Sequence, residues 1–116
     1  MSIKGAAYAN FRSALRSGNL LLAKAAAAEL PQVGLTDALH MCLLMSSQAD
    51  ERFDRAATRW LARFAQERPS VGLDELRHAL FALEALPYNP DAARGLLARL
   101  CTEHGLPEAA RMLRSH

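Results

Sequence analysis

The sequence contains few β-branched residues. Ile3, Val33 and Val71 are its only isoleucine and valines, and three threonines accompany them. Strands favour β-branched and aromatic side chains, whereas Ala and Leu, the main apolar residues here, lose little freedom in a helix. This scarcity excludes a β-rich fold and predicts an all-α protein.

Other absences restrict the cellular compartment and the ligands that we expect for the protein. No apolar run approaches the roughly 20 residues of a membrane helix, and Met1–Tyr8 lacks the apolar stretch of a signal peptide. The only cysteines, Cys42 and Cys101, show no recurrent ligand spacing and are typical of small buried hydrophobes. We therefore expect a cytoplasmic protein with no membrane partner, no metal and no cofactor. The excess of Arg over Lys and the many Ala residues suggest a GC-rich bacterial genome.

Glycine, asparagine and proline divide the chain into helical segments. Gly18-Asn19 combines a C-terminal cap with an N-cap, and Asn89-Pro90-Asp91 is a start signal for a helix. With the other breaks, they predict three helical hairpins over about 5–30, 35–67 and 73–104 and a cap helix over 107–114. A chain of 116 residues has the length of one domain, so residues 1–116 are expected to form a single unit.

Two segments recur in the sequence. Residues 29–35 (ELPQVGL) match 67–73 (ERPSVGL) at a spacing of 38, and residues 56–64 parallel 92–100 at a spacing of 36. At this level the chain resembles tetratricopeptide, HEAT and armadillo proteins, a resemblance that implies stacked hairpins able to bind other molecules. No motif specific to those families is present, so the resemblance implies no site residues. A compact six-helix bundle is the alternative shape.

The fourth predicted helix has an arginine face. At about 100° per residue, Arg52, Arg55, Arg59 and Arg63 fall within an arc of roughly 80°, opposite the apolar side of the helix. Glu51 and Glu67 are spaced to pair with Arg55 and Arg63, whereas Arg52 and Arg59 have no acid three or four residues away. The face is either solvated or a contact for an acidic partner or for phosphate.

Apolar side chains exceed what one buried stripe per helix requires. The second predicted helix is apolar on nearly all sides, which is typical of a buried helix. The third and fifth are also apolar beyond one stripe, so some apolar area should remain exposed for a partner or a second copy. Met41 and Met45 suit a groove for a partner helix but equally a core, and Trp60 is either a core anchor or an interface residue.

The chemical motifs of catalysis are missing from the sequence. It has no glycine-rich phosphate loop, nucleophile elbow or zinc-helix motif, so we expect no enzymatic activity. Cys101 and His104 share a helix face, but a metal site would need two more ligands. The main hypothesis is a protein-interaction module that binds a partner helix or itself through the third or fifth helix, with the arginines at the rim. The alternative is a nucleic-acid-associated regulator that uses the arginine face.

Overall fold

Helices account for the regular structure of the computed structural model. It describes residues 3–115, with side chains from residue 5 onward; residues 1, 2 and 116 of the predicted domain lie outside the described range. Residues 3–115 contain seven α-helices and no strand, which confirms the all-α prediction of six helices and a short C-terminal one. In chain order they are α1 (Ile3–Ser17), α2 (Leu20–Ala28), α3 (Leu35–Ser47), α4 (Phe53–Glu67), α5 (Leu73–Ala85), α6 (Pro90–Glu103) and α7 (Pro107–Arg114).

The predicted boundary residues act as expected at several helix ends. Gly18 has a φ of +73°, the left-handed conformation that ends a helix and that glycine adopts without strain. Asn19 accepts a hydrogen bond from the backbone N–H of Leu22 at 3.1 Å and so caps α2. Helix α4 begins later than the predicted start near Asp50, because the Asp50 carboxylate accepts the N–H of Arg52 at 2.8 Å in a turn.

Helix α3 is the centre of the packing. Each predicted hairpin brings its two helices together, as α1 with α2, α3 with α4 and α5 with α6. Helix α3 also contacts α1, α2 and α7, so the C-terminal helix returns to the middle of the chain. The radius of gyration is 13.8 Å, close to the roughly 13 Å of a compact chain of this length. The molecule is therefore a compact bundle and not an open solenoid.

Two hydrophobic cores meet at α3. The larger is formed mainly by α3 to α7 and includes the fully buried Phe64. The smaller lies between α1 and α2 around Phe11 and Leu15, and the half-buried Met41 and Leu44 of α3 pack against both cores. The α1–α2 hairpin thus has its own small core and joins the rest through α3.

Helix α2 differs from its sequence expectation. Its nearly continuous apolar surface predicts burial, but only Leu20 and Ala23 are buried, and Leu21 and Leu22 are exposed. Within the described chain, α2 packs against α1 and α3 alone, so its outer side has no helix over it. The prediction was wrong because apolar composition does not determine how many neighbours a helix has.

Candidate functional site

One face of α5 exposes large apolar side chains. Leu73, Leu80 and Phe81 are 76%, 46% and 67% exposed, and their spacing places them within an arc of roughly 100° on the helix. The opposite side of α5 is buried through Ala79, Ala82 and Leu83. Tyr88, three residues beyond the end of the helix, is also exposed. The solvent side of α5 therefore carries three large apolar side chains, together with the exposed Arg77 and Glu84 that fall within the same arc.

A groove between α4 and α5 borders this face. It has a volume of about 290 Å³, and Leu61, Leu80 and Leu83 contribute to its apolar walls. Asp54, near the start of α4, and Glu84, near the end of α5, also line it, and no Lys or Arg does. The groove therefore combines apolar walls with two carboxylates, a surface suited to an apolar helix that carries basic residues.

The arginine face of α4 lies mostly in solvent. Arg63 donates a hydrogen bond to Glu67 at 3.0 Å, as its spacing predicts. Arg52, Arg55 and Arg59 are exposed, and no ion pair between described residues includes them, so the pair expected for Arg55 is not formed. These three guanidiniums can meet an anionic partner without first breaking an ion pair within the described chain.

The other candidate contact residues belong to the interior. Met45 and Trp60 are buried, and Met41 is half-buried between the two cores. The Trp60 indole donates a hydrogen bond to the carbonyl of Leu35 at 2.9 Å and stacks on Phe64 with ring centroids 4.9 Å apart. Met45 and Trp60 therefore contribute to the core, and Met41 packs against both cores.

His104 joins two polar residues beside the α5 N-terminus in a hydrogen-bonded chain. His104 Nδ1 lies 2.8 Å from Ser70 Oγ, and His104 Nε2 lies 2.5 Å from Glu75 Oε2. The other oxygen of Glu75 accepts the N–H of Gly72 at 3.1 Å. The pKa of Glu75 is lowered, first by this backbone hydrogen bond and then by His104. Sequence patterns did not group these residues, since His104 lies 34 and 29 residues from its partners.

Cys101 is not positioned to act with His104. It is completely buried among apolar side chains, and burial raises the pKa of its thiol to about 11. Burial likewise raises the pKa of Cys42 to about 12. Both thiols therefore stay protonated at neutral pH, and neither is an activated nucleophile or a ready metal ligand.

A second groove, of about 430 Å³, lies between α1, α3 and the α6–α7 pair. Arg16, His40 and Arg94 are among its lining residues. Arg94 donates hydrogen bonds to the carbonyls of Met112, Leu113 and Ser115, at 3.2, 2.9 and 2.6 Å. This guanidinium therefore stabilises the C-terminal end of α7. Most of its N–H donors are bonded within the protein and are not available to a ligand in the groove.

Comparison with known proteins adds no relative from which a role can be transferred. No family model matches the sequence, and the searches of curated proteins and of solved structures give no significant match. Within residues 3–115, none of the helices has the length and apolar character needed to cross a membrane.

Proposed function

We propose that this protein is a non-catalytic interaction module of the bacterial cytoplasm that binds an amphipathic helix of a partner protein. The observation that carries the proposal is the exposure of Leu73, Leu80 and Phe81 on one face of α5. Large apolar side chains grouped on a surface commonly mark interaction sites. The sequence hypothesis offered α3 or α5 for this role, and α3 is the central packing helix.

The groove between α4 and α5 supports a helix as the bound element. A helix-in-groove complex needs an apolar channel beside a helix face, and the walls of this groove continue onto the exposed face through Leu80. Asp54 and Glu84 favour a partner with Lys or Arg beside its apolar stripe, because charge complementarity sets orientation and partner choice.

A designed peptide tests the proposal directly. The probe is a fluorescent helix of Leu, Ala and Lys, about 20 residues and so about 30 Å long, with lysines beside one end of its apolar stripe. We expect it to bind the full chain in an anisotropy titration, and Leu80→Ser to weaken binding about tenfold or more, as removal of an interface anchor does. Leu21→Ser, at an exposed leucine of α2, is the matched control and should leave affinity unchanged.

Charge reversal tests how the groove selects its partner. A peptide with glutamates in place of the lysines should bind the wild type more weakly, and Glu84→Lys should restore part of its binding. Equal binding by L80S and L21S, or no preference between the two peptides, would contradict the proposal. Light scattering measures the oligomeric state. If the wild type is a dimer and L80S is a monomer, the α5 face binds a second copy of the chain and not a partner helix.

A second candidate function rests on the exposed arginines of α4. Arg52, Arg55 and Arg59 form a row that could contact a phosphate backbone, although Asp74 and Glu75 at the start of α5 would repel one. If duplex DNA or RNA binds, affinity should fall with salt, and Arg59→Gln should reduce the salt slope by about one while Arg77→Gln does not. Absence of binding at low salt would reject this function and leave the helix-binding proposal intact.

A further inference from the structure

The cluster at the start of α5 includes a second carboxylate that converges on His104. Ligand atoms of Glu75, Glu103 and His104 all lie within 4.8 Å of one another. Glu75 belongs to the first turn of α5, Glu103 is the last residue of α6, and His104 follows it directly. The packing of α5 against α6 therefore brings the three side chains to one point.

We propose that Glu75, Glu103 and His104 form a binding site for a zinc ion or a closely related divalent transition metal. Zinc binds imidazole nitrogen at about 2.0–2.1 Å and carboxylate oxygen at about 2.0–2.2 Å. The two carboxylates offset the charge of the ion, and three protein ligands leave a fourth tetrahedral position for water.

Two of the three ligands are already oriented by neighbours. The side chain of His104 is only 7% exposed, and its ring packs edge-on against Phe64. Its Nδ1 atom is hydrogen-bonded to Ser70, which leaves Nε2 directed at Glu75. Glu75 is held at Oε1 by the N–H of Gly72, which leaves Oε2 directed at His104. Hydrogen bonds of this kind to the far side of a ligand fix its direction and strengthen metal binding.

The position of the cluster also favours a cation. Glu103 and His104 lie at the C-terminal end of α6, where the helix dipole is negative. Glu103 is exposed, so an ion can enter from solvent. The metal would replace the hydrogen between His104 Nε2 and Glu75 Oε2, and it would join the start of α5 to the end of α6. This site is separate from the α5 face and does not depend on the helix-binding proposal.

Zinc titration of the full chain after treatment with a chelator tests the site. We expect one zinc ion to bind per chain, to raise Tm because it binds only the folded state, and to shift the ring resonances of His104. Glu103→Gln, at an exposed position, should weaken binding at least tenfold, whereas the matched variant Glu51→Gln should bind as the wild type does. Ser70→Ala should weaken binding by about tenfold, as loss of a hydrogen bond to a ligand histidine does.

Glu103→Gln tests the site without any change to the nearly buried imidazole of His104. Saturable binding that Glu103→Gln weakens and Glu51→Gln does not would support the site. Absence of saturable zinc binding would overturn it and leave the cluster as an ion pair only. Equal zinc affinities for Glu103→Gln and Glu51→Gln would overturn it as well, because the metal would then bind elsewhere.

Discussion

The buried carboxylate of Asp37 provides the most direct test of how the N-terminal hairpin is held. Its side chain is 9% exposed and accepts hydrogen bonds from Tyr8 Oη at 3.0 Å and from Arg12 Nη1 at 2.9 Å. The proximity of Asp37 raises the pKa of Arg12, which shows the same attraction. Arg12→Met removes the charge and one hydrogen bond while it keeps most of the apolar stem of the side chain.

The loss of stability expected for Arg12→Met depends on how deeply the Arg12 and Asp37 side chains are buried. Breaking a fully buried ion pair typically costs about 3–5 kcal/mol, because the remaining charge is left without a partner. The Arg12 side chain is 40% exposed, so water can reach the carboxylate from that side once the guanidinium is gone. We therefore expect a loss of about 2 kcal/mol in the free energy of unfolding.

Urea unfolding followed by circular dichroism measures this loss. With an m value of about 1.5 kcal/mol per molar, the midpoint should fall by about 1.3 M. Arg77→Met is the matched control, since the Arg77–Asp74 pair is 3.6 Å long with both side chains mostly exposed, and its midpoint should change by less than about 0.3 M. Equal shifts for the two variants would refute the reasoning. So would additive effects of Arg12→Met and Asp37→Asn, because residues in direct contact should couple.

Three further predictions concern other parts of the bundle. Burial raises the thiol pKa of Cys42 to about 12 and that of Cys101 to about 11. Both thiols should therefore react with a disulfide reagent at neutral pH only after the protein is unfolded in urea. Fast reaction of the native protein would contradict their burial. Arg94→Met should speed amide hydrogen exchange in α7 more than in α4, since it removes the hydrogen bonds to the last carbonyls of α7; unchanged exchange in α7 would contradict this role. The pKa of Glu75 is held below its ordinary value of 4.5. The ionised Glu75 therefore stabilises the fold fully above pH 4.5, and this stabilisation is lost as the pH falls through the folded-state pKa. Glu75→Gln should lower Tm at neutral pH, and the difference in Tm from the wild type should disappear in acid.

Local sequence signals account for most of the helix map. Capping by Asn19, the positive φ of Gly18 and the prolines that begin α6 and α7 each act within one helical turn, so a single sequence reveals them. The start of α4 was harder to place, because Asp50 has the residue type of an N-cap but forms a turn before the helix. Its carboxylate also accepts a hydrogen bond from Lys24 of α2, a contact between distant parts of the chain that no local pattern contains.

The candidate sites depend on tertiary packing and were less predictable. The excess of apolar residues in α5 indicates an exposed surface, but only the packing shows that Leu80 is exposed while Leu83, in the wall of the same groove, is buried. In α2 the same excess predicts burial, because the sequence of one helix does not reveal that Leu21 faces solvent. The group of Glu75 and His104 required the contact between α5 and α6, since the two residues are 29 positions apart.

We propose that the apolar face of α5 and the groove beside it bind a basic amphipathic helix. Amide chemical-shift mapping of the ¹⁵N-labelled protein during titration with the lysine-bearing peptide tests it most directly. We expect the largest shifts around Leu61, Leu80 and Phe81, with smaller ones elsewhere. Shifts centred on Leu21 of α2 or on the arginine face of α4, or no shifts at saturating peptide, would contradict it.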